Sequence, residues 1–475
     1  MNSHAFGIKS AKLRIHLLLV ACLALGLLLP AFPIGFLSDD FNWLQLVRDT
    51  QESSWPQYLL IPSPFGYFRP LPMILFRCIG LSFPNSVWPF RLAILCCHLM
   101  VCLFVYILGR RLGYRPAVCL LAATIFAILP CHAESIFWIA SLNELLASLF
   151  LLSGLLILLG GRSWRSDAGA TLLFTLAIFS RESALCYLPL VLLLSLRQPA
   201  LRRPGLIPIL LLPGLSFLGA RLWWLRQLPD AVPLSSPGQL DLNPLNLAHR
   251  LLHYLTAMSL PVKPVFELLG FNHYEALRLW VLSSPGAKPI LGLIAILTLG
   301  ALAVSLIKLP PGRQVWPGLI FALIALSVYL PFGQTSEHFL YLPSVGFAYA
   351  LASLLIVATE RWRSAGTILT AVILSIYLFG SGSRLYRWRQ ASRISEENLS
   401  HLESMIADIP AGGRVLINGL NNRYFGLPFL GEHCLNEAWA YRFPAKRIHF
   451  YFDPTRHDPY QVVYSPIEHR FFRRR

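Results

Sequence analysis

Long apolar runs dominate this chain and restrict it to a membrane-spanning fold. Only 13% of its residues are charged and 55% are hydrophobic, whereas a soluble domain carries roughly 25% charged residues. The apolar runs are close in length to the roughly 20 residues that a helix needs to cross a bilayer. We therefore predict an all-α polytopic membrane protein with about eleven transmembrane helices. The predicted spans are 15–37, 89–109, 116–131, 137–160, 169–180, 184–196, 205–225, 289–308, 315–332, 339–359 and 365–382.

Basic residues in the short loops predict how these spans are oriented. Positive charge concentrates on the cytoplasmic side of membrane proteins, and a cytoplasmic N-terminus makes every short inner loop basic. The apolar segment 249–262 would invert the later loops if it crossed fully, so we predict a short interfacial or half-crossing helix there. No small-residue cleavage site follows the first apolar run, which favours an uncleaved first span. The expected location is the bacterial inner or plasma membrane, or the endoplasmic reticulum membrane of a eukaryote.

The spans divide the chain into a membrane domain, 1–383, and a small extracytoplasmic α/β domain, 384–475. The outer parts of the membrane domain are a loop at 38–88 and a Pro-rich, polar stretch at 226–288. The tail has a helical pattern at Ser395–Ile409, and strand patterns at Arg414–Asn418 and His449–Phe452. The net charge is +17. Because the Arg and Lys residues lie between apolar runs, they indicate topology and contact with membrane lipid rather than nucleic-acid binding.

Two adjacent carboxylates, Asp39 and Asp40, follow the first span directly. Carboxylates at a span end are costly unless they face water or bind something. One could take a proton from an acceptor hydroxyl while the other orients it or raises its pKa by like charge. The pair could also hold a divalent cation such as Mg²⁺ or Mn²⁺. The alternative is a solvated helix cap, a common position for Asp.

Two clusters carry Arg side chains at predicted outer span ends. Arg69 lies among aromatic residues and prolines, which suits a phosphate ligand, although an Arg at the lipid headgroups is the alternative. Arg181 and Glu182 follow in a very short loop. They are either a simple ion pair or a phosphate ligand held by its carboxylate.

Two further clusters carry His and Glu side chains. His132 and Glu134 precede a span that Asn143 and Glu144 enter, and an ionisable residue within a span indicates function or a hydrogen bond between helices. The last cluster comprises Glu337, His338 and Tyr341. The topology places all these groups on one face of the membrane, which favours an outward-facing cavity for an anionic, lipid-linked substrate and a hydroxyl nucleophile.

At these residues the chain resembles the GT-C class of membrane glycosyltransferases, and most closely the membrane half of the transmembrane-and-TPR O-mannosyltransferase family and its bacterial relatives. The family usually has Lys where Arg181 stands and Arg where His338 stands. The tail shows no TPR pattern, so the acceptor of the family does not carry over. The matching stretches, in family order, are Asp39-Asp40, Phe68-Arg69-Pro70-Leu71, His132-Ala133-Glu134 with Trp138-Ile139-Ala140, Ser180-Arg181-Glu182 and Glu337 to Gly346.

This resemblance implies transfer of a sugar from a polyprenyl-phosphate carrier to a protein, lipid or glycan acceptor on the outer face. Asp39 or Asp40 would be the base, and Glu134 would assist in acid–base work or positioning. The implied substrate-binding residues are Arg69, His132, Arg181, Glu182, Glu337, His338 and Tyr341. A single displacement would invert the anomeric configuration.

Two other classes of protein stay open from the sequence. A transporter or flippase of a lipid-linked saccharide would carry polar residues through the whole membrane thickness, whereas here the ionisable groups cluster at outer span ends. A non-catalytic protein that binds a lipid-linked sugar would retain the binding groups without turnover.

Overall fold

Helices make up most of the structure, a computed structural model, and a small sheet domain lies at its C-terminal end. The described residues are 10–61, 66–198, 201–203, 205–227, 240–259, 312–332, 335–420, 423–424, 427–452, 461–465 and 470–474. The described α-helices are α1 (Ser10–Leu28), α2 (Asp40–Asp49), α3 (Trp55–Leu60), α4 (Pro70–Ser82), α5 (Trp88–Arg111), α6 (Pro116–Ala127), α7 (Ala133–Phe137), α8 (Leu142–Gly160), α9 (Trp164–Ser180), α10 (Tyr187–Arg197), α11 (Leu206–Leu225), α12 (Pro244–Ser259), α13 (Gly312–Ser327), α14 (Pro343–Met405) and α15 (Leu435–Arg442).

Several of these helices have the length and composition of membrane spans. In the described part of the chain, five helices qualify, and a sixth is added if α6 and the segment Pro130–Phe137, which meet at 48°, form one bent span. Helices α9, α10 and α13 are shorter than a full crossing. The predicted span 289–308 lies outside the described residues. The protein is an integral membrane protein, and the count of eleven spans stays a prediction.

The helix α14 joins the membrane part to the tail. Non-helical backbone at Trp362 and Arg363 divides it into two segments, which agrees with the break between predicted spans 339–359 and 365–382. The second segment continues to Met405 without interruption, so the predicted tail helix at Ser395–Ile409 is the end of this helix rather than a separate element. No proline follows Pro343 within α14, and proline is the residue most apt to end a helix.

Two glycines allow α13 and α14 to pack closely. A Cβ atom on Gly318 would lie 2.5 Å from the carbonyl oxygen of Gly346, and a Cβ on Gly346 would lie 2.6 Å from the backbone nitrogen of Ala322. Real side chains do not tolerate such distances, so only glycine permits this backbone contact. Small residues serve this purpose between membrane helices. Gly346 ends the last sequence motif, and its contact with α13 explains its place there.

The tail folds into a small mixed α/β unit. A four-stranded sheet has the order β4 (His449–Tyr451), β1 (Arg414–Asn418), β5 (Gln461–Ser465) and β6 (Arg470–Arg474). Strand β1 pairs in parallel with β4 and β5, and β6 is antiparallel to β5. A short antiparallel pair, β2 (Arg423–Tyr424) and β3 (Leu427–Pro428), precedes α15. The strand predictions at Arg414–Asn418 and His449–Phe452 are confirmed, the second within one residue.

Candidate active site

The two carboxylates after the first span lie where α2 begins. Ser38 has a φ of +50°, in the left-handed region that non-glycine residues rarely adopt. Asp39 occupies the N-cap position of α2, but its side chain makes no capping hydrogen bond to that helix. The described structure therefore does not support the helix-cap alternative for Asp39. Such backbone strain clusters at functional sites.

Asp40 is fully buried and holds two segments together. Its Oδ2 accepts a hydrogen bond from the Leu37 amide at 2.9 Å, and its Oδ1 accepts one from the Ala140 amide at 2.7 Å. Burial raises the pKa of Asp40 to about 7, against the opposing effects of the Leu37 amide, Arg91 and the Ala140 amide. A pKa near 7 suits a general base, but geometry comes before pKa. Both oxygens of Asp40 accept hydrogen bonds from backbone amides, so this carboxylate connects two segments of the fold and does not face a substrate.

Arg91 also stabilises the loop between the first span and α2. Its guanidinium donates to the carbonyl oxygens of Ile34 at 3.1 Å, Gly35 at 3.1 Å and Phe137 at 2.6 Å. It thus ties the end of the first span to the end of α7, and it lies close enough to lower the pKa of Asp40. These contacts fix the position from which Asp39 projects.

Asp39 is the accessible member of the pair. Its side chain is 23% exposed, whereas Asp40 is 0% exposed. Its Oδ1 lies 3.0 Å from Nε2 of His433, a residue of the tail, and accepts a hydrogen bond from the Ser38 hydroxyl at 3.2 Å. Of the two carboxylates, only Asp39 is open to an acceptor.

Trp138 connects the carboxylate pair to the next two clusters. Its indole Nε1 donates to the carbonyl oxygen of Leu37 at 3.2 Å, and its ring centroid lies 6.0 Å from that of His338. The His338 amide donates to Glu134 at 3.2 Å, and its Nδ1 lies 3.3 Å from the same carboxylate oxygen. Glu134 thus holds His338 in place beside Trp138.

Arg181 lies in a buried ion pair. Its Nε is 2.9 Å from a carboxylate oxygen of Glu144, and the exposed fractions of the two side chains are 7% and 2%. The hydroxyl of Tyr329 donates to Glu144 at 3.0 Å, and the Asn143 amide oxygen accepts from Arg181 at 3.2 Å. Phe339 packs against the guanidinium, whose carbon lies 5.2 Å from the ring centroid. Arg181, which the sequence analysis places in a very short outer loop, therefore has its guanidinium paired with groups inside the protein.

Arg69 lies in a more open cluster nearby. It pairs with Glu182 at 2.9 Å and stacks on Tyr67, with the guanidinium carbon 4.1 Å from the ring centroid. Arg221 of α11 approaches Glu182 at 3.9 Å and is 37% exposed. Two guanidinium groups thus share one carboxylate, which leaves an excess positive charge at this point.

The five sequence clusters form one continuous series of contacts. Asp39 and Asp40 connect through Leu37 and Trp138 to His338, as described above. The rings of His338 and Phe339 lie 4.5 Å apart, and Phe339 contacts Arg181. Glu182, the next residue, pairs with Arg69. The predicted convergence of these clusters in space is present in the structure, whereas the chemical role of each residue stays a prediction.

Three further predicted binding residues make contacts with buried side chains. His132 and Tyr341 are 0% exposed, with ring centroids 4.8 Å apart; His132 Nε2 lies 2.6 Å from the Ser344 hydroxyl. The Tyr341 hydroxyl lies 2.8 Å from Nδ1 of His98. Glu337 pairs with Arg384, a buried residue of α14. His132 and Tyr341 therefore lie within the helix bundle, whereas the Glu337 side chain is 17% exposed.

The donor atoms near Asp39 do not fit a cation shared by the two carboxylates. Both oxygens of Asp40 are occupied by backbone amides. Among the described residues, no group of three or more His, Cys, Asp or Glu side chains has an arrangement suited to a metal ion. The predicted Mg²⁺ or Mn²⁺ stays a prediction, and no step proposed below runs through a metal.

Sequence reasoning missed His433, Arg221 and Tyr329. His433 lies 394 residues from Asp39, and no local pattern connects the two. Arg221 interrupts the apolar sequence of α11, and a charge within a predicted span is a signal that could have identified it. Tyr329 offers no such signal, because aromatic residues are common in spans.

The chain matches no protein-family model and no curated protein. Its fold is similar to that of ArnT from Cupriavidus metallidurans bound to undecaprenyl phosphate, with a TM-score of 0.44 and 15% identity over 91% of this chain and 89% of that chain. It is also similar to the Archaeoglobus fulgidus oligosaccharyltransferase in complex with Zn and sulfate, with a TM-score of 0.45 and 15% identity over 92% of this chain and 62% of that chain. For Archaeoglobus fulgidus AglB in complex with an inhibitory peptide and a dolichol-phosphate, the TM-score is 0.44 and the identity 13%, over 92% and 64% of the two chains.

The second and third of these structures are of an oligosaccharyltransferase, and the first and third contain undecaprenyl phosphate and a dolichol-phosphate, respectively. The chain spans less than two thirds of the length of the two oligosaccharyltransferase chains. All three TM-scores lie below 0.5, and all three identities are 15% or lower.

Proposed function

We propose that this protein is a membrane glycosyltransferase that moves a sugar from a polyprenyl-phosphate carrier to an acceptor hydroxyl on the outer face of the membrane. The observation that carries the proposal is the accessible Asp39 carboxylate, connected by continuous contacts to a cluster with excess positive charge. A base connected through these contacts to a cluster with excess positive charge suits a phosphate-linked donor whose lipid part lies in the bilayer. Undecaprenyl phosphate and dolichol-phosphate are examples of such carriers.

Asp39 takes the proton of the acceptor hydroxyl as its oxygen attacks the anomeric carbon. A carbon–oxygen bond forms there while the bond from that carbon to the phosphate oxygen breaks, and the electron pair leaves with the polyprenyl phosphate. The anomeric carbon develops oxocarbenium character, as in glycoside hydrolysis. Arg69 and Arg221 face the leaving phosphate, where preorganised positive charge lowers the barrier most. A single displacement inverts the anomeric configuration.

The remaining predicted residues support this arrangement. Glu134 positions His338, which lies between Trp138 and Phe339 and borders the donor sugar. Arg181 and Glu144 hold the Glu182 loop in place. The outer side carries the site, with the N-terminus cytoplasmic and the tail domain extracytoplasmic.

The test is the glycoconjugate profile of cells with and without the protein, read by mass spectrometry. We expect one glycoconjugate to lack a sugar residue in the deletion strain. The wild-type gene should restore it, and the gene for Asp39→Asn should not. An unchanged profile, combined with transbilayer movement of a lipid-linked saccharide in proteoliposomes, would favour the flippase alternative and contradict this proposal.

Arg221→Ala is expected to weaken binding of the donor. A hydrogen bond to a charged group contributes about 1.5–3 kcal/mol, which corresponds to a rise in donor KM of about tenfold or more. The acceptor KM should stay unchanged, because Arg221 faces the phosphate. Initial rates against donor concentration measure the effect.

The matched control is Arg226→Ala. It removes the same charge from an exposed residue just beyond the end of α11. Equal donor KM values in the two variants would show that Arg221 contributes only general positive charge and no specific contact with the donor phosphate.

A further inference from the structure

The tail domain lies directly on α2, the helix that begins at the carboxylate pair. Arg48 donates to the carbonyl oxygens of Ala440 at 3.0 Å and Tyr441 at 3.3 Å. Its guanidinium carbon also lies 4.5 Å from the Tyr441 ring centroid. Tyr441 in turn makes edge contacts with Phe36 and Phe41, with ring centroids 5.4 and 5.8 Å away. The C-terminal part of the chain therefore packs beside the candidate active site.

His433 of the tail domain contacts the Asp39 carboxylate. Its Nε2 is 3.0 Å from Oδ1 of Asp39 and 3.0 Å from the Ser38 hydroxyl. Since an ionised carboxylate only accepts hydrogen bonds, the contact with Asp39 requires the proton on Nε2. The described residues place both hydrogen bonds of Asp39 on Oδ1, which leaves Oδ2 to face an acceptor.

The backbone around His433 is held firmly. Asn42 donates to the His433 carbonyl oxygen at 3.0 Å. The amide of the buried Cys434 donates to the Gly431 carbonyl at 3.1 Å, and the Leu435 amide donates to the same oxygen at 2.9 Å. This tight turn leads into α15, so the imidazole projects from a fixed point rather than from a loose loop.

We propose that His433 is a positioning residue for Asp39, and that the tail domain thereby completes the active site. This inference rests on the proposed function. The imidazole N–H orients the carboxylate so that Oδ2 meets the acceptor hydroxyl. Alignment of reacting groups makes a large contribution to rate, and a misplacement of about 1 Å costs on the order of 100-fold.

The test compares His433→Gln with His433→Leu in the full-length protein. The two substitutions are similar in size, but only Gln can donate a hydrogen bond to Asp39. We expect kcat to fall about 100-fold in the Leu variant and to recover most of that loss in the Gln variant. The donor KM should stay unchanged in both, because Arg69 and Arg221 bind the phosphate.

Two controls separate positioning from folding. His449→Ala removes an exposed imidazole from the same domain and should leave kcat unchanged. Thermal unfolding of each variant in detergent reports the stability of the fold. In an Asp39→Asn background, His433→Leu should cause no further loss of residual activity, since interacting residues are not additive.

Equal kcat values for the Gln and Leu variants, whether both high or both low, would overturn the positioning role. If Asp39→Asn still abolished transfer in that case, the proposed function would stand without it. Absence of transfer by the wild-type protein would instead reject the proposed function.

Discussion

Asp39→Asn is expected to abolish sugar transfer while the protein folds normally. The amide cannot take the acceptor proton, and general base catalysis contributes about 10²–10⁴-fold to a rate. The fold should survive because Asp39 is partly exposed and an Asn side-chain oxygen can still accept the hydrogen bond from His433. Initial transfer rates and the thermal unfolding temperature of the purified protein measure the two effects separately.

Asp40→Asn is the matched control, one residue away, and should show the opposite pattern. The Asn side chain has one accepting oxygen, whereas Asp40 accepts from both Leu37 and Ala140. One buried amide loses its partner, at a cost of about 1–3 kcal/mol. We expect a lower unfolding temperature with much of the transfer activity retained. Retained transfer in Asp39→Asn together with loss in Asp40→Asn would reverse the two assignments.

Arg181→Met is expected to destabilise the protein severely. It leaves the carboxylate of Glu144, 2% exposed, without its cation. Breaking a buried ion pair from one side costs about 3–5 kcal/mol. Glu144→Gln should cause a similar loss. The double variant should recover much of the stability, because replacing both partners leaves no isolated charge. Thermal unfolding in detergent measures all three.

The surface pair Arg115 and Glu360 provides the comparison. Their exposed fractions are 55% and 48%, and exposed ion pairs contribute about 1 kcal/mol or less. Arg115→Met should therefore change the unfolding temperature little. An Arg181→Met protein with normal stability and a raised donor KM would instead identify Arg181 as a ligand of the leaving phosphate.

The sequence predicts the helical membrane class because a helix that crosses the bilayer requires a long apolar run, which is visible in the sequence. It also predicts β1, since Arg414–Asn418 follows the Pro410–Gly413 turn and has strand-type residues. It does not predict that α14 runs on to Met405, because the polar residues after 382 resemble the start of a new domain. Helix continuity there depends on packing against the rest of the protein.

The sequence also identifies the polar clusters but not the separate environments of their members. Asp39 and Asp40 are adjacent in the chain, yet one is accessible and the other fully buried. Adjacent residues on a helix do not face the same side, and only the tertiary fold shows which side is covered. Likewise, Arg69 and Arg181 look equivalent as outer cations, and only their carboxylate partners distinguish them.

The contact between Asp39 and His433 has a consequence for how the protein is made. These residues are separated by 394 positions, so a ribosome produces the carboxylate long before the histidine that contacts it. A nascent chain inserts its spans into the membrane in the presence of cellular lipids. Until the segment with His433 emerges and folds, Asp39 lacks the hydrogen bond from the imidazole and keeps only the one from the neighbouring Ser38 hydroxyl. On the proposed function, chains that stop before His433 are expected to reach the membrane with a poorly oriented Asp39 and to transfer sugar more slowly.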